Sequence, residues 1–573
     1  MVGLRRRERA SPRGYRPPVP TAFEITDRYV DELCERNPLL ATSLGVQGHD
    51  HEWGDVFGLP GIEALNDLAR RYRAELDPHR DDPDPRQSLA ARVTVASLDE
   101  QLSAHEAGDH FRDLRHLGSP FHQIRSIFDV MPSDTAEDWE NITRRLETID
   151  RAYGDYQDRL AEGVRRGIVV AERQVRSIID QAAKVAGPGG SLLAIAAKAE
   201  AAGHLNERLE RALYHARTAA GEFARWLQTA YLPHATPEDG VGEDRYRRQA
   251  DRLVGLAIDP HETYEWGWEE FGRLLAEMAR AGERILPGSS ILEVKQHLES
   301  DPDGLAYSTD DLKAFVAEAL ARAVDDLAGT HFEVPDVIRP ITVNIAPPGR
   351  PLGVYYLRPS EDFTRPGGVW YSLGGQQVFP LYQHVSTAYH EGFPGHHLQI
   401  ATAMYHRDEL SRAQRTLVWY PGYGEGWAMY AEVLMGELGY LEDPRHYFGM
   451  LAKQMYRAAR VVVDIGLHLG KAIPESSPIA PGGVWDFETA VEFMRVYGFR
   501  TQAQAEAEVL RYLGWPGQAI AYKLGERELL DIRAETSERL GPAFDLKRFH
   551  EAVLTGGAMR LDMLRRVIRE RLE

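Results

Sequence analysis

Residues 390 to 397 read His-Glu-Gly-Phe-Pro-Gly-His-His and constrain the fold more than any other stretch of the chain. Zinc accepts imidazole nitrogens, and a glutamate beside the first ligand can take a proton from the water that the metal activates. On an unbroken helix, His390 and His396 would be about 9 Å apart along the axis, too far for two bonds of roughly 2 Å to one ion. The pattern therefore predicts an interrupted helix.

The four residues after Glu391 supply that interruption. Their sequence is Gly-Phe-Pro-Gly, in which the proline lacks a helical N–H and the glycines accept unusual backbone angles. Compared with the usual H-E-x-x-H spacing, a two-residue excursion would bring His396 back under His390. His390 and His396 are therefore the predicted metal ligands, with His397 as the alternative second ligand.

A third ligand is expected on a separate helix further along the chain. In residues 419–432 a Pro-Gly turn is followed by helical periodicity, and Glu425 falls in the first turn of that helix. Glu432 comes seven residues later, on the same face but two turns away. At this position Glu432 is better placed to orient a metal-binding side chain than to bind the metal itself. The alternative is that Glu432 is a charged residue on the solvent-exposed face of the helix.

The rest of the chain predicts a mainly α fold. Apolar residues recur at helical spacing over 21–330, whereas 333–376 is rich in Val, Ile, Tyr, Pro and Gly and predicts short strands beside the metal helix. We expect a large multi-helix fold with a small antiparallel sheet beside the metal helix. The predicted divisions are a disordered basic tail (1–20), an N-terminal helical part (21–330) and a catalytic part (331–573), which together form one cleft.

Composition limits the possible partners and the location of the protein. The first 16 residues contain six Arg and one Glu, but the whole chain carries a net charge of −20, so nucleic acid is not expected as a partner. No apolar run is long enough to span a membrane. The single cysteine, Cys34, fits a reducing, cytoplasmic compartment. The negative net charge favours neutral or cationic substrates. The sequence leaves open whether the chain forms a homodimer.

Several segments together resemble one bacterial family, domain of unknown function 885 (DUF885). The segments are HEGFPGHHLQ (390–399), EGWAMYAE (425–432), RAARVVVDIGLH (457–468), PGQAIAYKLGERE (516–528) and FHEAVLTGG (549–557), with a similar beginning at 23–46. The resemblance covers about residues 20–570. It implies a mostly helical protein related to the gluzincin zinc metallopeptidases and similar in plan to angiotensin-converting enzyme and carboxypeptidase Taq. Those relatives keep an unbroken H-E-x-x-H helix, which this chain does not.

The predicted activity is zinc-dependent hydrolysis of an amide bond in peptides. Glu391 would serve as general base and then as proton donor. The resemblance implies that Tyr522 donates a hydrogen bond to the developing oxyanion, although a packed core tyrosine is an equally open interpretation. Arg457 and Lys523 are candidates for holding a substrate carboxylate. The alternatives are a zinc amidase, acylase or esterase that acts on a small metabolite, and a non-catalytic helical binding protein.

Two other His-Glu sequences resemble a metal motif by eye. His105-Glu106 is followed by His110 at a spacing of five residues, and His550-Glu551 has no second histidine nearby. Neither has a downstream glutamate in a matching position. We therefore expect both to be surface groups.

Overall fold

A computed structural model describes residues 19–346 and 353–573. Residues 1–18 of the predicted basic tail lie outside the described residues. The described chain is mainly helical with a small amount of sheet, which confirms the predicted fold class. No described helix combines the length and hydropathy that a membrane span needs.

The first fourteen α-helices occupy the chain up to residue 327. Their starts carry ordinary capping signals; for example, Thr21 and Glu24 form a capping box at the first helix. In chain order, α1 to α14 are Ala22–Arg36, Pro38–Leu44, Leu59–Leu76, Pro85–Glu106, Pro120–Ser126, Ala136–Glu147, Ile149–Arg166, Glu172–Ala186, Leu193–Ala201, Glu207–Trp226, Glu243–Ala250, Pro260–Ile285, Ile291–Leu298 and Thr309–Leu327.

Ten further helices follow the sheet region. The longest begins after Asp443, whose side chain caps the helix while Pro444 occupies the first turn. In chain order, α15 to α24 are His384–Glu391, His396–Tyr405, Arg412–Thr416, Pro421–Glu437, Pro444–Leu469, Phe487–Val496, Gln502–Gly514, Ala521–Leu540, Leu546–Leu554 and Leu561–Arg571.

The predicted strand region forms a three-stranded sheet next to α15 and α16. The strands β1 to β5 are Leu305–Ala306, Ile341–Ile345, Gly353–Leu357, Gly367–Ser372 and Phe379–Pro380. The sheet order is β2-β4-β3, with β3 antiparallel and β2 parallel to β4. A separate antiparallel pair joins β1 to β5. Within the described chain β3 pairs on one side only, so its other edge is free.

Two large apolar cores divide the molecule. One contains residues between Leu39 and Tyr231, and the other contains residues from Tyr246 to Leu572 together with Leu89 and Val93 of α4. Helices α11 to α14 therefore pack with the C-terminal helices, although the sequence division placed them in the N-terminal part. The stretch between the two cores, residues 232–244, is rich in Pro, Gly and Asp.

Candidate metal centre

The helix that carries the first histidine stops where the sequence predicts. α15 ends at Glu391 and α16 begins at His396. Between them, the Gly395 N–H donates to the Tyr389 carbonyl at 2.9 Å, which folds the chain back on the last turn of α15. A Cβ on Gly395 would lie 2.0 Å from the His390 carbonyl oxygen, so only glycine fits there.

The folded-back segment is also held from outside. The Trp427 indole N–H, on α18, donates to the Pro394 carbonyl at 2.9 Å. This bond ties the interruption to the helix that carries Glu425. As a result the rings of His390 and His396 lie with centroids 5.0 Å apart, at nearly a right angle.

His390, His396 and Glu425 converge on one point. Among the described residues they are the one group of three such side chains whose candidate ligand atoms all lie within 4.8 Å of one another. The Glu425 Oε2 atom is 3.4 Å from the Nε2 atom of His390 and 3.5 Å from that of His396. Two imidazoles and one carboxylate are a donor set that suits zinc, and three protein ligands leave a coordination position open. The residues present therefore fit a zinc ion.

Other side chains orient His390. The Nδ1 atom of His390 lies 2.8 Å from Oε1 of Glu432, and the Ser386 hydroxyl donates to the other oxygen of Glu432. Glu425 and Glu432 stand on one face of α18, so His390 contacts both at once. A carboxylate behind a ligating histidine fixes its tautomer and makes it a better ligand.

The electrostatics of the group favour a cation. Burial alone would lower the pKa of His390, but hydrogen bonds to Glu425 and Glu432 outweigh burial and raise it to about 9. Burial opposes ionisation of Glu425, yet its bonds to the two histidines hold its pKa well below the usual value. Both carboxylates therefore remain charged at neutral pH, and a metal ion would replace the proton shared with His390.

Glu391 and Tyr522 face the same cavity as the three converging side chains. This cavity, called the site cavity below, has a volume of about 550 Å³ and is lined by residues that include Tyr355, Glu391, Trp419, Arg457 and Tyr522. Burial raises the pKa of Glu391, and the charge of Glu425 adds to this effect. Burial, together with Glu425, also raises the pKa of Tyr522 to about 12, so its hydroxyl keeps its proton at neutral pH.

A close contact between two helices places Tyr522 beside Glu425. Gly426 of α18 faces Gly525 of α22, and a Cβ built on Gly426 would lie 2.6 Å from the Gly525 backbone. The backbones of the two helices therefore approach each other closely. Glu425 is one residue before the first glycine, and Tyr522 is three residues before the second.

The structure places the two predicted substrate-binding residues, Arg457 and Lys523, in different surroundings. Arg457 lines the site cavity. Lys523 does not line it: its ammonium group donates to Gln454 at 2.5 Å and pairs with Glu526 and Glu270 at 2.7 and 2.9 Å.

His397 turns away from the converging side chains. Its Nε2 atom lies 2.6 Å from the Ile338 carbonyl, and its Nδ1 atom lies 3.1 Å from the Tyr356 hydroxyl. Both ring nitrogens are therefore engaged, and His396 is the histidine that joins His390 and Glu425.

The histidines of the two dismissed His-Glu sequences are not surface groups as predicted, although Glu106 and Glu551 are exposed. His550 is fully buried, 2.8 Å from the Tyr430 hydroxyl and 2.9 Å from the His331 carbonyl. His105 and His110 stack with centroids 4.7 Å apart in the wall of a second cavity. The prediction failed because an isolated charged pair gives no sign of the long-range packing around it.

Sequence reasoning missed two cationic residues of the site cavity, Lys453 and Arg500. Lys453 lies one turn before Arg457 on α19, so the i, i+4 spacing from Arg457 could have found it. Arg500 comes from the loop between α20 and α21. Nothing local in the sequence places that loop near the histidines.

The fold and site together define a large helical protein with a buried His-His-Glu group that fits a metal ion. The chain belongs to the family described as "Bacterial protein of unknown function (DUF885)", whose profile matches residues 38–568. A comparison with curated proteins finds no match.

Two solved structures share the fold. One is described as "putative lipoprotein from Colwellia psychrerythraea" and is similar with a TM-score of 0.82, 22% identity and coverage of 96% of this chain and 99% of that one. The other is "a putative lipoprotein of unknown function from Shewanella oneidensis", with a TM-score of 0.70, 17% identity and coverage of 96% and 100%. At these identities the likeness shows the fold alone.

Proposed function

We propose that the protein is a zinc-dependent hydrolase that cleaves an amide bond in peptides. The observation that carries the proposal is the convergence of His390, His396 and Glu425 within 4.8 Å, beside Glu391 and at the wall of a cavity. A zinc ion held by these three residues would supply a Lewis acid that activates water and polarises the scissile carbonyl.

Three residues of the chain would have separate roles in this reaction. Glu391 follows His390 directly and is positioned to accept the proton of the attacking water and then pass it to the leaving amine. Tyr522 keeps its hydroxyl proton and can donate a hydrogen bond to the oxygen on which negative charge develops. Glu432 holds His390 in one orientation throughout.

The sheet offers a way to bind an extended substrate. Residues 353–356 of β3 line the site cavity, and β3 pairs with β4 on one side only among the described strands. A peptide could add its own backbone hydrogen bonds to this free edge while its side chains enter the cavity. This arrangement favours a peptide over a small metabolite amide as the substrate.

We also propose a reducing compartment as the place of action, since Cys34 is a free, buried thiol. The two solved relatives are described as putative lipoproteins, a name that favours the cell envelope for those proteins. Fractionation of cells followed by immunodetection distinguishes the two locations for this chain.

The test of the proposed function combines metal analysis with cleavage of a mixed peptide library. Glu391→Gln keeps size and hydrogen bonding but cannot take up the proton, so hydrolysis should fall by about 10²–10⁴-fold while zinc stays bound. A chelator should abolish wild-type activity, and added zinc should restore it. An undiminished rate in Glu391→Gln would contradict the role of Glu391 and favour a non-catalytic binding protein.

A further inference from the structure

The site cavity is lined by cationic side chains that mostly have no carboxylate partner in the described part of the chain. Lys453, Arg457, Arg460 and Arg500 all line it. Arg460 pairs with Glu508 at 3.2 Å, whereas the other three form no ion pair within 4.0 Å among the described residues. Lys453, Arg457 and Arg500 are called the cation cluster below.

An aromatic ring, and not a carboxylate, contacts the two guanidinium groups of the cation cluster. The Arg500 guanidinium lies 3.8 Å from the centroid of the Tyr456 ring, and that of Arg457 lies 5.3 Å from the same centroid. Stacking of this kind fixes a guanidinium without neutralising it. The Nε atom of Arg457 is buried and has no hydrogen-bond partner in the described structure.

The nearby carboxylates are committed elsewhere. Glu432 contacts His390, Glu425 contacts both histidines, and Glu508 pairs with Arg460. Of the carboxylates that line the cavity, only Glu391 has no ion pair among the described residues. Burial, with the charges of Arg500 and Arg457, lowers the pKa of Lys453 to about 7, against the opposing charges of Glu432 and Glu391. Positive charges that repel one another in a buried wall are stabilised by an anion that enters from outside.

A second cavity provides a comparison for how such charges are paired. The outer cavity, of about 680 Å³, shares Trp419 and Glu425 with the site cavity and extends to the N-terminal helices. Three of its four arginines have a carboxylate within 4.0 Å: Arg112 and Arg245 share Asp109, Arg115 pairs with Asp113, and Arg252 has no such partner among the described residues. In the site cavity only one of the four cationic side chains, Arg460, has such a partner among the described residues.

We infer that the cation cluster binds a carboxylate of the substrate on one side of the scissile bond, with the rest of the substrate in the outer cavity. This inference rests on the proposed function and names its substrate class: peptides with a carboxylate close to the cleaved bond, either the free C-terminus or an acidic side chain. It replaces the expectation of neutral or cationic substrates, because the local charge of the cavity differs from the net charge of the chain.

Binding to the zinc-loaded Glu391→Gln protein tests the inference without turnover. Three matched peptides of neutral sequence are titrated by calorimetry: a free acid, its C-terminal amide, and that amide with one glutamate next to the central bond. At least one carboxylate peptide should bind about 10–100-fold more tightly than the plain amide, as expected for hydrogen bonds to charged groups. The tighter of the two identifies the source of the carboxylate.

Substitutions then test which residues produce the preference for the carboxylate peptide. In the same background, Arg457→Gln and Arg500→Gln should each reduce the preference for the carboxylate and leave the affinity for the plain amide nearly unchanged. Arg457→Lys should retain part of the preference. Arg495→Gln is the matched control, because Arg495 lies on the exposed face of α20 and pairs with Glu492. Zinc content and circular dichroism check that each variant is folded.

The outcomes separate this inference from the proposed function. Equal binding of all three peptides by the unsubstituted cluster would overturn the inference, even if the wild type hydrolyses them. A preference for the carboxylate that disappears in Arg457→Gln and Arg500→Gln, but not in Arg495→Gln, supports the inference. That support holds even if wild-type protein cleaves none of the peptides, a result that would count against the proposed function alone.

Discussion

His390 with His396, and His105 with His110, form two histidine pairs beside adjoining cavities. Their ring centroids are 5.0 and 4.7 Å apart, so proximity does not distinguish them. Their surroundings do. His390 contacts Glu425 and Glu432, two carboxylates on one helix face. Of the second pair, His105 pairs with Glu63 alone, at 3.1 Å.

The pKa values of His110 and His390 move in opposite directions, although burial acts to lower both. Burial, with the charges of His105, Arg159 and Arg166, lowers the pKa of His110 to about 4. For His390 the two carboxylates reverse the effect of burial and raise the pKa to about 9. A site that attracts protons in this way also attracts a metal cation, whereas one surrounded by arginines repels it.

The largest expected difference between the pairs is in metal content. Wild-type protein should bind about one zinc per chain, and His390→Ala should reduce this strongly because one of three ligands is lost. His105→Ala should keep the full zinc content. Elemental analysis of the purified variants measures both. Equal zinc content in wild type and His390→Ala would contradict the assignment of the first histidine pair, and not the second, as a metal site.

Much of the first pair could be predicted from local sequence. The Gly-Phe-Pro-Gly interruption after Glu391 and the helix start before Glu425 depend on backbone preferences of adjacent residues, which act within one or two turns. The spacing of seven between Glu425 and Glu432 likewise places both on one face whatever the tertiary fold. These features needed no knowledge of distant contacts.

The features that sequence reasoning missed depend on distant segments. His397 is held by the Ile338 carbonyl, 59 residues earlier, and His550 by Tyr430, 120 residues earlier. Arg500 reaches the site cavity from a loop whose own sequence predicts only a helix connection. No periodicity or capping rule encodes such contacts, since they arise when separate helices pack. The same limit explains why the prediction for His105 and His110 was wrong.

The carboxylate behind the first pair offers a second, smaller contrast. Glu432→Gln removes the charge next to the Nδ1 atom of His390 but keeps a hydrogen-bond acceptor. Zinc affinity should fall by about 10–100-fold, the range typical for partners of metal-ligating histidines. Competition with a zinc indicator measures the change.

Glu63→Gln is the matched control for Glu432→Gln, since Glu63 is the carboxylate beside His105 in the other pair. Its zinc affinity should equal that of the wild type. If Glu432→Gln also matched the wild type, Glu432 would have a purely structural role beside His390.

The smallest expected effect concerns the pH dependence of stability at the second pair. The pKa of His110 in the folded chain, about 4, lies below the ordinary value of 6.5. Between these two values the unfolded chain binds more protons than the folded one at this residue, so stability falls as the pH falls from 6.5 toward 4. His110→Gln removes this contribution. Because His110 is partly solvated, the change should be small, about 1 °C in the difference between the melting temperatures at pH 7 and pH 5.

The slope with pH, rather than the melting temperature itself, is the quantity to compare, because loss of the stacked ring can lower stability at every pH. His234→Gln, at an exposed position, serves as the control and should reproduce the wild-type slope. An unchanged slope in His110→Gln would mean that burial and the neighbouring charges do not hold His110 neutral. The contrast in charge between the two histidine pairs would then need a different physical cause.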